Sequence, residues 1–478
     1  MSTGNEKPTV LIVGAGLGGL TLGALLEKQG VPYTIFERAS TIKAFGSAMS
    51  IGPTLLPLFE QLGIYDELVS LGKYLAHMTD YSETSQGLKP FPPMDMRPVE
   101  ELSGYAYHIL ARPNLHALLL KLVPAHKIHF GHRVLNISEK DDKAILTLSN
   151  SETFEGDIIV GADGAYSAVR QRMYEQLKAT GDLPISDYEE LPFSVTCLVG
   201  QTRVLDPKDF PVVARPDCHF ATHHGKDKPF SWHTFNTSQG TLCWTVLHHL
   251  SKKSSKEAME QRFMDTNNSE WGAHTAQDMC EETKEFPILL GGGKMGTMGE
   301  LFEKTPAELI TKVMLEEKVF YTWHYRRFVL MGDACHKLNP AGGHGAMAAM
   351  HDAIAIANLI YAMPTKTSSD VTKVFQEYYK ERHPAAVESF NFSKQAGKRS
   401  EKSIIGTVMT YIMTHLPMWL WRMFLARPLS FRPQVGFLPA IALKGTLAPV
   451  VPPSEQNARA VFLKTQEHQQ TEESAASV

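Results

Sequence analysis

The run Thr9 to Val13 is short, rich in β-branched residues and apolar, and Gly14-Ala15-Gly16-Leu17-Gly18-Gly19 follows it at once. That junction constrains the fold more than any other feature of the 478 residues. An apolar run without alternation reads as a strand buried on both faces of a parallel sheet. Leu20 to Gln29 reads as a helix ending at Gly30, the glycine that closes a helix C-terminus. Tyr33 to Phe36 supplies the next strand, with Glu37 at its end. Strand, glycine turn, helix, strand and acid within about thirty residues make a βαβ unit of the dinucleotide-binding kind. Gly14 permits the tight turn, Gly16 lets the backbone approach a pyrophosphate, and Gly19 lets helix and strand pack closely. The helix N-terminus offers free N–H groups and a positive dipole to the same pyrophosphate. Glu37 is placed to accept hydrogen bonds from a ribose. Its charge favours the unphosphorylated ribose of FAD or NAD.

The rest of the chain extends this into an α/β protein of two domains and a tail. Residues 50 to 75 read as helical around Leu55, Leu58, Leu62 and Leu68, and Leu115 to Leu122 as a helix opened by Arg112-Pro113-Asn114. Residues 82 to 104 read as a loop or edge hairpin, and Ile128 to Glu155 alternates like β-hairpins. From about residue 183 to 325 the texture turns β-rich and aromatic, so a largely antiparallel substrate domain is expected. Phe328 to Met331 is a strand, Gly345 to Ala362 a long Ala- and Met-rich helix, and further helices fill 370 to 425. The expected division is a discontinuous Rossmann-like domain (1–82, 104–182 and 326–400), an inserted β-rich domain (83–103 and 183–325) and a helical extension (401–465). The polar residues 466–478 read as disordered.

Lys and Arg total 47 against 51 acids, a formal charge of -4, so nucleic acid is not an expected partner. The five cysteines are scattered and form no C-x-x-C pair, which indicates neither a zinc knuckle nor a disulfide framework. A reducing compartment follows, and the cytoplasm is the expected location. The first apolar run merges into the glycine fingerprint, unlike a cleavable signal segment.

Two later stretches share the character of the first. Asp157 to Val160 is an apolar strand leading into Gly161-Ala162-Asp163-Gly164, with Ser167 and Arg170 beyond. Met331-Gly332-Asp333-Ala334-Cys335-His336 ends another strand and precedes Pro340-Ala341-Gly342-Gly343-His344-Gly345 and a helix. A helix start beside glycine backbone stabilises negative charge, as on the N1–C2=O edge of a reduced flavin.

With these three motifs in this order, the chain resembles the group A flavoprotein monooxygenases, the family of para-hydroxybenzoate hydroxylase, salicylate hydroxylase and zeaxanthin epoxidase. The resemblance runs across roughly residues 9 to 400. Arg432-Pro433-Gln434, Phe437-Leu438-Pro439 and Lys444-Gly445-Thr446 resemble a fungal branch that includes the epoxidases of indole-diterpene pathways. The resemblance implies that Gly14, Gly16 and Gly19 hold the FAD pyrophosphate and Glu37 the adenosine ribose, with Arg38 along the adenosine. It implies that Arg112 contacts the phosphate or ribityl region, that Asp163 belongs to a motif serving both FAD and NAD(P)H, and that Asp333 binds the ribityl or pyrophosphate part. Gly343 and Gly345 would lie against the isoalloxazine. The implied reaction takes electrons from NADPH or NADH, forms a flavin C4a-hydroperoxide with O2, and hydroxylates or epoxidises an aromatic or terpenoid-like small molecule in secondary metabolism. The rivals are a flavin oxidase or dehydrogenase without oxygen insertion and a non-catalytic nucleotide-binding protein. The Asp163 and Asp333 regions argue against the second, since a nucleotide binder needs only the first motif.

One departure stands out. Where the family often has Gly-Gln-Gly-x-Asn, this chain has Gly343-His344-Gly345-Ala346-Met347, and a thioether cannot donate a hydrogen bond. His344 is the one side chain singled out as a catalytic candidate, with a tolerated polar residue as its plainer reading. The chemistry is otherwise flavin-centred. His219, His223 and His233 lack a completing carboxylate, so no metal site is expected. The resemblance makes His336 structural. Phe220, Trp232, Phe235 and Trp244 suit either an apolar substrate pocket or a core. Trp419-Leu420-Trp421 resembles the paired tryptophans of flavin halogenases but lacks their Ile-Pro. Residues 404–425 are apolar and acid-free, with Thr407, Thr410 and Thr414 on a polar face and a break at Pro417. They read as helix covering the core or lying on a membrane surface, which points to peripheral membrane contact rather than a span.

Overall fold

The computed structural model describes residues 7–41, 48–189, 191–251, 253, 255, 273–340, 343–400 and 404–476. A six-stranded sheet forms its base, in the order His324–Tyr325, Phe328–Leu330, Ile158–Gly161, Val10–Val13, Tyr33–Glu37, Ile128–Phe130. All neighbours are parallel except the first pair. Val10, Ile12, Ile158, Ile159 and Val160 are fully buried, as the uninterrupted apolar runs require. Helix α1 (Leu17–Gln29) ends at Gly30, which takes the left-handed conformation. It packs against α2 (Arg112–Lys121). Helix α3 (Ala168–Thr180) packs on Ile158–Gly161 and on a three-stranded antiparallel sheet formed within 134–156. Helix α4 (Gly345–Ala362) lies against α1. It is long and apolar enough to cross a membrane, but 72% of it is buried inside the protein, which makes it a core helix.

The consequence of this topology is positional. Val13, Gly161 and Leu330 are register partners on three adjacent parallel strands. The Ala162 amide donates to Val13 and the Met331 amide to Gly161, at 2.8 and 2.9 Å. The glycine turn, the Asp163 turn and the Asp333 turn therefore leave one edge of the sheet side by side, although they are far apart in sequence.

The second unit is an eight-stranded sheet built on Thr311–Glu316, Phe193–Gln201, Leu242–His249, Phe230–Asn236, His219–His224, His77–Thr84 and Gly87–Pro90, with Met94–Asp95 off the main path. Its own core contains Leu198, Trp232, Trp244, Val246, Met279, Ile288 and Leu290. The domain boundaries differ from those expected. His77–Thr84 pairs in parallel with His219–His224, so this sheet begins six residues before the expected 83. Its last strand ends at Glu316, because Lys318–Val319 pairs with His336–Lys337 and His324–Tyr325 with Phe328–Leu330. Strand pairing, not the aromatic texture of the sequence, sets both limits.

The C-terminal region contains α5 (Ser368–Ser400), α6 (Ile404–Thr414), α7 (Met418–Ser430) and α8 (Pro453–Ala476). Residues 466–476, expected to be disordered, continue α8 as helix. They are polar but contain no glycine or proline, and Gln, Glu and Ala favour a helix without burial. Residues 477 and 478 lie outside the described residues, as do Ala341 and Gly342 of the third motif.

Candidate functional site

The glycine turn leaves open space at the N-terminal end of α1. Gly14 sits at φ +108, and a Cβ there would lie 2.4 Å from the Ala162 oxygen. A Cβ on Gly19 would lie 2.0 Å from the Gly14 oxygen. Both glycines are forced by close approach of backbone. At Gly16 and at Gly345 a Cβ would meet nothing within 4 Å. These open positions face the N-terminal turns of α1 and α4, neither of which has a side-chain cap. Their amides are available to an anion.

Glu37 holds this turn together. Its two oxygens accept from the Ala15 and Ala39 amides, both at 2.9 Å. His116 on α2 lies 2.8 Å from the Ala15 oxygen and braces the same loop, a contact between distant residues that no local pattern marks. Arg38 and Arg112 are both exposed.

Asp163 acts first on its own chain. Oδ2 accepts from the Ala168 and Val169 amides at 2.7 and 3.3 Å, so the carboxylate caps α3 together with Ser167. Oδ1 is buried with no partner. Burial raises this carboxyl's pKa, against the hydrogen bonds from Ser167 and the helix amides. Arg170 ties the second motif to the third by donating to Ala334 O at 2.7 Å and Ala165 O at 2.6 Å.

Asp333 pairs with Lys337 at 2.6 Å. Burial alone would raise its pKa, but Lys337, then His336 and Arg112, hold it below the ordinary carboxylate range. Beneath it lies a second buried acid, Asp352 on α4. It accepts from His336 at 2.6 Å, Arg382 at 2.8 Å and the Gly332 amide at 2.9 Å. Burial opposes its ionisation, yet His336 and Arg382 push its pKa far down. Cys335, His336 and Asp352 stand close enough to ligate an ion. The carboxylate is already spent on three donors, one a guanidinium, so the cluster reads as a hydrogen-bonded brace under the Asp333 turn. Lys337 and Asp352 were missed in the sequence. Their partners lie four and sixteen or more residues away, and nothing local marks the pairing.

At the α4 end, Gly343 has φ +67, and a Cβ there would come within 3.2 Å of Ser50 Oγ. Met347, in place of the family's Asn, is buried, and its sulfur lies 3.9 Å from Thr54 Oγ1. His344 stacks on Phe392 with ring centroids 5.0 Å apart, and burial lowers its pKa. Stacking on an aromatic neighbour suits the tolerated-residue reading of His344. Together, the open positions at Gly16 and Gly345 and the orphaned Asp163 oxygen fit FAD across the three motifs.

The large sheet separates the aromatic residues into two classes. Trp232 and Trp244 lie in the sealed core. Phe220 and Phe235 stack at 5.2 Å on the other face, in a cluster with Ala48, Met78 and Tyr107. Ala48 and Ser50 share the strand that touches Gly343, so this aromatic face adjoins the glycines of α4. His219 contacts Tyr81 at 3.2 Å, His223 stacks between Tyr81 and Trp232, and His233 bonds Thr245 at 2.9 Å. They do not converge.

A family model described as an FAD binding domain matches residues 7–284 and 297–393. The chain belongs to this family. The FAD-dependent monooxygenase paxM of Penicillium paxilli is 29% identical over 388 residues, covering 77% of this chain and 74% of that protein. The FAD-dependent monooxygenase atmM of Aspergillus flavus is 25% identical over 456 residues, covering 92% and 88%. The structure of Klebsiella pneumoniae HpxO with FAD and uric acid superposes with a TM-score of 0.67 at 18% identity, over 88% of this chain and 96% of that one, and shows the shared fold. The protein is therefore a group A FAD-dependent monooxygenase of the fungal branch.

Proposed function

We propose that this monooxygenase takes electrons from NADPH or NADH and inserts one atom of O2 into an apolar aromatic or terpenoid-like small molecule, by hydroxylation or epoxidation, in secondary metabolism. The observation that carries this reading is the placing of the stacked Phe220 and Phe235 beside the α4 glycines. Bound FAD supplies the redox chemistry and the activation of oxygen. The chain's own groups do the rest. The open N-termini of α1 and α4 stabilise negative charge on the cofactor. The Asp352 brace fixes the Asp333 turn, and Arg170 locks the second motif to the third. The aromatic face presents an electron-rich substrate and excludes water. Only one dinucleotide fingerprint is present, so the nicotinamide binds transiently without a domain of its own.

The test is anaerobic addition of NADPH or NADH to the FAD-loaded enzyme, with and without aromatic and terpenoid compounds, followed by turnover under isotopically labelled O2. Substrate-accelerated bleaching of the flavin and label in the product support the reading. Peroxide as the sole oxygen product moves it to an oxidase. The enzyme is further inferred to work in the cytoplasm with α6 and α7 resting on a membrane surface.

A further inference from the structure

A small sheet links the large one to the α4 glycines. Ala48–Ile51 pairs antiparallel with His108–Ala111, placing Ala48 opposite Ala111, Ser50 opposite Ile109 and Ile51 opposite His108. One further step along both chains brings Gly52 opposite Tyr107. Directly opposite residues share a face, and so do alternate residues of one strand. Ala48, Ile109 and Tyr107 all pack in the cluster of Phe220 and Phe235, so this face looks toward the large sheet. Leu110, on the other face, belongs to the core of the dinucleotide-binding domain. Ser50 shares the first face and is the residue that a Cβ on Gly343 would meet. Tyr107, Phe220 and Phe235 thus border the same region as the α4 glycines.

The seat of Tyr107 is specific. A Cβ on Gly52 would lie 2.0 Å from Tyr107 Cε1 and 2.5 Å from Cδ1. Gly52 has no positive φ, so the ring itself, not a turn, is what requires a glycine there. Tyr107 also packs on the cluster of Val99, Trp421 and Leu425, so the half-buried ring is held from two sides. Its hydroxyl is not. Among the described residues none exchanges a hydrogen bond with it, and burial alone pushes the phenol's pKa up to about 12. Phenylalanine would fill the same seat. A hydroxyl placed in this cluster costs free energy unless a ligand meets it. Protonated at neutral pH, it is available as a donor. Leu75, Met78, Met96, Phe220 and Phe235 carry no oxygen or nitrogen on their side chains, so a ligand hydroxyl here would leave a proton of its own without an acceptor from them. A carbonyl, which only accepts, leaves nothing over.

We infer that the Tyr107 hydroxyl donates a hydrogen bond to a carbonyl oxygen of an otherwise apolar substrate whose hydrocarbon body lies on Phe220 and Phe235. The inference rests on the monooxygenase reading and deepens it by naming the substrate class, an apolar ketone. The bond fixes one end of the substrate and so sets which carbon faces the cofactor. An earlier carbonyl-forming reaction must supply such a substrate.

The experiment uses the FAD-loaded full chain and two matched probe pairs, acetylnaphthalene against isopropenylnaphthalene and geranylacetone against its methylene analogue. In each pair a CH2 group stands where the ketone has its oxygen. Binding is read from the change in the bound flavin's absorbance, and the bond itself from the infrared band of an isotopically labelled carbonyl in the bound ketone. The wild type is expected to bind the ketone of at least one pair about tenfold or more tightly than its hydrocarbon. Tyr107→Phe keeps the ring, so it should bind the hydrocarbon as before, lose the preference and move the carbonyl band to higher frequency. Gly52→Ala keeps the hydroxyl but displaces the ring, and should lose the preference as well. Equal binding within both pairs, binding of none of the four probes, a preference that survives either substitution, or a carbonyl band that Tyr107→Phe leaves in place overturns the inference. Neither readout needs turnover. Failure of the monooxygenase reading therefore shows separately, as a wild type that no nicotinamide reduces or that places no labelled oxygen in any product.

Discussion

At the scale of single residues, the glycines and acids of the three motifs were legible because each answers a local demand. Gly14 and Gly19 are required by backbone approaches that no Cβ survives. Glu37 was legible as an acid at a strand end, but its hold on the Ala15 and Ala39 amides was not. Glu37→Ala is accordingly expected to cost FAD affinity twice over, through the ribose and through a slackened turn. The loss should reach about 1.5–3 kcal/mol, the range for a hydrogen bond to a charged group. A dissociation constant for FAD equal to the wild type's, measured by flavin fluorescence on dilution, would remove Glu37 from the site. Asp333→Ala should weaken FAD by a similar ~1.5–3 kcal/mol, and Asp333→Asn by less. Asp333→Ala also strips Lys337 of its partner. Purification of Asp333→Ala with a full, tightly held complement of FAD would show that the Asp333–Lys337 pair is only structural. The brace below, Asp352 with His336 and Arg382, was not legible. It joins residues from a short strand and two helices, and only the fold brings them together.

Among the elements, the helices were read most accurately where glycine and proline punctuate them. Gly345–Ala362 emerged with the expected bounds, and Gly30 closes α1 as its αL conformation requires. What periodicity did not disclose is which face of a strand meets which layer. On His219–His224 the alternation places His219 and His223 toward one side and Phe220 toward the other, and only the sheet's packing says which is sealed. This has a consequence for pH. Burial lowers the pKa of His223 to about 3 and of His219 and His249 to about 4. In the unfolded chain these imidazoles titrate near 6.5. Between about pH 4 and 6.5 the unfolded chain therefore binds more protons than the folded one, and stability falls as pH drops through that window. The melting temperature at saturating FAD should decrease steadily from pH 7.5 to 5, and His223→Gln should flatten the slope. A melting temperature that is level or rises toward pH 5 would contradict the burial of these rings.

For the whole molecule, sequence texture found two domains but not their seams, because the strand His77–Thr84 crosses from one to the other. It also found an apolar acid-free stretch without its arrangement. Pro417 divides that stretch into α6 and α7, of 11 and 13 residues. At 1.5 Å per residue each spans about 16–20 Å, too short for a hydrocarbon core of ~30 Å. Part of the apolar surface of both helices faces outward, although Trp421, Leu425 and Leu429 of α7 are buried. Thr410 is buried, whereas Val408, Tyr411, Ile412, Met418, Trp419, Met423 and Phe424 are each between 45% and 65% exposed. Trp421 anchors α7 inward by donating to Asp95 O at 2.7 Å, which leaves Trp419 outward. Among the described residues, the rim cations Arg422 and Arg427 are each paired with an acid from another element, Glu101 and Glu388. Attraction to a bilayer should then come mainly from apolar insertion, with only a weak dependence on anionic lipid. In sedimentation with phosphatidylcholine vesicles, with and without phosphatidylserine, the enzyme should pellet with both. Trp419→Ser combined with Met423→Ser should lower the partition coefficient ~10-fold or more, since two large apolar side chains no longer leave water. The same variant should keep its FAD, because neither residue lies near the three motifs. Protein that stays in the supernatant with every vesicle, and that instead sediments as a dimer which the double substitution dissociates, would assign this face to a second copy of the chain.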